Sequence, residues 1–142
     1  MLRSVALIAF LGAQAGVFLI GPSLVAADAK EPPSFTKVME DNFSGKKNVH
    51  KNLKKMIESD STDWTEAGKL MKQYGIAAEQ VGQHAKTKPE KGDDKDWAKL
   101  CAQFATQVKE LDGAVTKKDK DKAKASLEKI NETCEACHEN HR

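Results

Sequence analysis

Residues 119–142 read DKDKAKASLEKINETCEACHENHR, and one stripe runs through them: Ala123, Leu127, Ile130, Cys134, Cys137 and His141. The steps alternate between four and three, the period of an α-helix with one buried face. A strand would repeat every two residues, and nothing in this segment does. A helix with a single apolar face needs other helices to cover it.

The chain supplies them. Phe35, Val38, Met39, Asn42, Lys46, Val49, Leu53 and Met56 share a stripe, with Phe43 and Ile57 beside it. Gly45 falls inside, but the apolar phase is the same on both sides. The pattern therefore predicts one helix over 34–58 weakened at residues 44–45, a break there being the alternative. Ser34, after Pro32 and Pro33, is its expected N-cap. Asp63 followed by Glu66 resembles a capping box and opens a second helix over 63–86, with a seam of Trp64, Ala67, Met71, Tyr74, Ala78, Val81 and Ala85. A polar connection holding Pro89 and Gly92 leads to Asp93 or Asp94, either of which can cap a third helix over 95–115. That seam is Trp97, Leu100 or Cys101, Phe104, Val108, Leu111 and Val115. With the last helix over 119–141, the expected fold is an all-α, antiparallel four-helix bundle.

Within the last helix, Cys134, Cys137 and His138 form C-x-x-C-H, the pattern through which a haem is attached by two thioethers and ligated by the adjacent histidine. Two cysteines three apart can reach the two vinyl-derived carbons on one porphyrin edge, and the next residue can swing its imidazole beneath the iron. Both cysteines continue the apolar stripe, so a haem c held there would be clamped against the bundle interior. A zinc site is the chemical rival, since Cys134, Cys137, His138 and His141 offer four donors. One short helical run has difficulty closing a tetrahedron alone, and no second ligand pair lies elsewhere. A redox dithiol would want a βαβ setting that this chain lacks. His141 reads as a surface or pocket-edge residue, Cys101 as a small buried apolar one, and His50 as a bundle-face residue with no role.

At the other end, Met1-Leu2-Arg3 precedes an almost uncharged run from Ser4 to Ala27, interrupted by Gly21 and Pro22. This reads as a secretory signal peptide over 1–27, with cleavage after Ala27 and Ala29 as the near alternative. The rival is an uncleaved anchor, which Gly21 and Pro22 oppose by breaking the helix before it spans. The remaining segment, 28–142, suits one small domain. Export and the motif agree, because haem is attached to C-x-x-C-H outside the bacterial inner membrane; the expected location is the periplasm. Charge is high and balanced, 23 basic against 21 acidic residues, which makes no case for nucleic acid. Three cysteines, one far from the other two, do not form a disulfide framework.

Topology narrows the sixth ligand. In an up-down-up-down bundle the end of the last helix is level with the start of the first. Met39 is at that height, whereas Met56 lies ~25 Å further along the axis and is excluded. Met71 is mid-helix. His84 has the right height but falls beside its seam. Met39 is thus either the sixth ligand, making a low-spin iron of raised potential, or an apolar residue beside a five-coordinate iron. Phe35 and Trp97 lie at the same end and are expected to pack on the porphyrin.

A helical bundle ending in C-x-x-C-H-x-x-[aromatic or His]-Arg resembles the cytochrome c′ family, the class II c-type cytochromes, over the whole segment 28–142. The resemblance implies one covalent haem c on Cys134 and Cys137, His138 as proximal ligand, and Arg142 flanking the proximal face. His141 stands where the family has an aromatic. Met39 is similar in position to the methionine of the low-spin members. The expected function is one-electron transfer with periplasmic redox proteins; binding of NO or CO at a five-coordinate iron is the alternative, and dimerisation is left open. No acid–base or nucleophile cluster argues for an enzyme.

Overall fold

In the computed structural model the described residues are 32–141. The signal-peptide reading of 1–27 and the proximal-face assignment of Arg142 lie outside them. Five α-helices follow one another: α1 Phe35–Phe43, α2 Val49–Glu58, α3 Trp64–Gln83, α4 Asp94–Thr116 and α5 Lys120–His141. The described residues contain no strand.

The architecture is the expected four-helix bundle, with its first member broken. A single helix over 34–58 does not form: α1 stops at Phe43, a 3₁₀ turn spans Gly45–Lys47, and α2 starts afresh. The reason is local chemistry. Gly45 takes a φ of +55°, a left-handed geometry that only glycine adopts cheaply. Asn48 then re-caps the chain. Its side-chain oxygen accepts from the Lys51 N–H, and its amide donates to the Phe43 carbonyl at 2.6 Å, tying the new helix to the end of the old one. The apolar phase survives because the turn restores it.

The other boundaries follow their caps. Ser34 accepts from the Lys37 N–H, Asp63 from Thr65 and Glu66, and Asp93 from Lys95 and Asp96. Asp93, not Asp94, caps α4. The chain reverses into α5 through Lys118 at φ 56°, where the Asp119 N–H donates back to the Ala114 carbonyl. Asp119 then accepts from the Lys122 N–H.

The core is the sum of the seams. Leu53, Ile57, Tyr74, Leu111 and Ile130 are fully buried, and Val38, Met71, Val108 and Leu127 nearly so. Each large apolar side chain buried this way contributes about 1.5–3 kcal/mol relative to exposure. The long α3–α4 and α4–α5 pairs pack along their lengths, α2 packs on α3 and α5, and α1 leans on α3 while barely touching α5. That gap between α1 and α5 makes the site. No helix among the described residues is long and apolar enough to cross a membrane.

Candidate functional site

Cys134, Cys137 and His138 line a cavity of about 280 Å³. The lining also takes Phe35, Met39 and Phe43 from α1, with Asn48 and His50 beyond the break. Val81, Leu100, Cys101 and Phe104 close the floor. The lining is mainly apolar, and its aromatic part is held by ring contacts: Phe43 packs edge-on to Tyr74 and Phe104 at 5.7 and 5.9 Å.

The sequence-predicted residues come together unevenly. The cysteines, His138, Met39 and Phe35 share the cavity, Met39 coming from α1 and His138 from α5. Met56 and Met71 are not on it. Trp97 stands one layer behind, its ring 4.6 Å from that of Phe35 and its indole N–H donating to the His84 carbonyl at 2.8 Å. His84 packs on Phe35 and donates from Nε2 to the Pro33 carbonyl, which seats the lead-in to α1.

Two sequence expectations change. His141 is not a surface residue: its side chain is 1% exposed, Nδ1 lies 2.7 Å from the Lys91 carbonyl and Nε2 lies 3.2 Å from the Asp96 carboxylate. Both ring nitrogens therefore face acceptors in the loop before α4 and at its start. His50, given no role by sequence, is half-buried on the cavity wall. Its Nδ1 meets the Tyr74 hydroxyl at 2.9 Å, and its Nε2 is buried with no partner among the described residues. An orphaned buried donor or acceptor costs about 1–3 kcal/mol unless something completes it. Phe43, His50 and Ile57, spaced by seven, carried the signal that His50 faces inward.

The surroundings of the three thiols hold them neutral. Burial pushes Cys134 up to about 11, with Cys137 and Glu135 adding to the shift; burial and then Asp96 raise Cys137. Cys101 is pushed up to about 12, by burial and then by Cys137. In the folded chain such thiols stay protonated. A thioether has no ionised form, so the same burial costs it nothing. Among the described residues no group of three or more His, Cys, Asp or Glu side chains is arranged to hold a metal ion.

A four-helix bundle that turns a C-x-x-C-H peptide into a cavity in its own core has the build of a bundle-type haem protein. The chain belongs to the cytochrome c′ family: the family profile described as Cytochrome C′ matches residues 30–142. Membership implies covalently bound haem c. No curated protein and no solved structure matches the chain. The residues present fit such a group: two half-buried thiols and an imidazole from α5, a thioether sulfur and aromatic rings from α1, and one buried ring nitrogen awaiting a partner, all on one cavity.

Proposed function

We propose that this protein is an exported one-electron carrier, acting in the periplasm after removal of residues 1–27 and exchanging electrons with redox proteins there. The observation that carries the reading is the meeting of Cys134, Cys137 and His138 with Met39 across one cavity. When bound, the haem supplies the Fe(III)/Fe(II) couple. Cys134 and Cys137 would hold it as thioethers, and His138 would ligate the iron from the α5 wall. Met39 would present its sulfur from the α1 wall, favouring the reduced iron. Phe35, Phe43, Leu100 and Phe104, which line the cavity, would keep water from a bound macrocycle and so limit reorganisation on electron transfer. Substrate conversion is not part of this reading.

One observation favours the second reading, binding of NO or CO. Met39 sits on a nine-residue helix with a break directly behind it and little contact with α5, a mounting that can give way to a diatomic ligand.

Absorption spectra of haem-matured protein, oxidised, reduced and reduced under CO, test both. A low-spin spectrum that is lost in Met39→Ala supports the carrier. A high-spin reduced form that takes CO readily supports gas binding. A haem that washes out on denaturation, or fails to attach, sinks both.

A further inference from the structure

The orphaned nitrogen of His50 has a definite protonation that hydrogen counting fixes. Tyr74 is fully buried, and its hydroxyl has His50 Nδ1 as its hydrogen-bond partner. Were the imidazole to donate, the phenol hydrogen would be left with no acceptor inside the core. The economical arrangement has the Tyr74 O–H donating to a bare Nδ1, which puts the ring hydrogen on Nε2. Nε2 is the buried atom without a partner, and the ring lines the cavity.

Three other polar side chains that line the cavity already have protein partners. Asn48 spans the Phe43 carbonyl and the Lys51 N–H, Asn131 donates to Glu135 at 2.6 Å, and Thr133 donates to Gln107 or the Lys129 carbonyl. Among the described residues, His50 Nε2 is the buried side-chain nitrogen or oxygen left without a hydrogen-bond partner. We infer that Tyr74 locks His50 as a hydrogen-bond donor, its Nε2–H reserved for an acceptor atom that arrives with the haem: an oxygen of its carboxylates or of a small ligand on the iron. Nε2 is thereby a donor, not a competing iron ligand, because the lone pair that would bind iron is on the nitrogen facing Tyr74. Burial, and then Lys54, lower the His50 pKa, which keeps the ring neutral with a single N–H.

This inference rests on the haem reading, and its test separates the two. Imidazole ¹⁵N–¹H correlation spectra of the reduced protein report the tautomer whether or not haem is attached. Protonated Nε2 and bare Nδ1 are expected, becoming a mixture in Tyr74→Phe. A protonated Nδ1 in the parent protein overturns the lock. Loss of haem on denaturation defeats the haem reading and leaves this result standing. The acceptor is then identified in a Met39→Ala background, where the iron has an open position. His50→Leu is made together with Tyr74→Phe so that no buried hydroxyl is orphaned. A shift of the CO stretching frequency assigns the donor to the iron-bound ligand. An altered pH dependence of the reduction potential assigns it to a haem carboxylate. His50→Gln, which keeps a donor, should restore either readout. If neither moves, His50 donates to nothing the haem brings, and the inference fails.

Discussion

Gly92 and His141, far apart in sequence, are packed so closely that the loop before α4 has no room for a side chain there. A Cβ on Gly92 would overlap the His141 ring and lie 2.7 Å from the Asn140 carbonyl oxygen. Gly92 also takes a φ of +86°. With Lys91 and Asp96 engaging both His141 nitrogens, and Asn140 donating to Asp96, the last turn of α5 is fastened to the start of α4. His138 is one turn upstream of that clasp.

Gly92→Ala is therefore expected to destabilise the bundle by about 1–3 kcal/mol, from the forbidden backbone geometry and the displaced imidazole together. Thermal unfolding followed by circular dichroism reads it. A melting temperature equal to that of the parent would show that the loop can move away freely.

Gly68 should respond in the opposite sense. It is inside α3, and an added methyl would meet nothing within 4 Å. Gly68→Ala is expected to stabilise by roughly 0.5–1 kcal/mol through the cost glycine imposes on helix formation. Denaturant titration gives the sign directly, and a loss of stability would mean an unfilled contact has been overlooked.

Thr133 and Gln107 form a buried side-chain pair, the hydroxyl 2.9 Å from Gln107 Oε1 and also 3.2 Å from the Lys129 carbonyl. The two substitutions are unequal. Thr133→Val strands the Gln107 oxygen and should cost about 1–3 kcal/mol, whereas Gln107→Leu leaves Thr133 its backbone acceptor and should cost less than about 1 kcal/mol. Equal losses in urea unfolding would refute the asymmetry.

Stability should fall on mild acidification, and His50 should be part of the cause. Burial, and then Lys54, depress its pKa below the ordinary 6.5. The groups around it are Tyr74 from α3, Lys54 on its own helix, and Glu135 and Cys134 from α5 on the cavity wall. The unfolded chain therefore binds the proton first. Stability decreases as pH drops from about 6.5 toward the depressed value, and His50 contributes no slope above that range. Unfolding free energy against pH, compared between parent and His50→Gln, isolates this part. Parallel curves would remove His50 from the account.

Much of this was legible because helices announce themselves by period. Ala123, Leu127 and Ile130 told which face of α5 is inside, and the same phase carried Cys134 and Cys137 onto the cavity wall. Period is blind to what restores itself: the turn at Gly45 resets the chain in register, so the break between α1 and α2 left no gap in the stripe. It is equally blind to contacts made by irregular segments, and so His141 passed for a surface or pocket-edge residue although Lys91 and Asp96 engage both its ring nitrogens. His50 was missed for another reason. Its phase put it on the bundle face, but a role appears only once the Tyr74 hydroxyl, brought in by a different helix, is seen beside it.

The half-burial of Cys134 and Cys137 bears on how this protein is loaded. With α5 docked on α4, both residues still line a cavity that also borders the exposed His138 and Glu135. A prosthetic group joined there would be covered by the bundle on its inner side and would keep an edge toward solvent, which is where a partner could reach it.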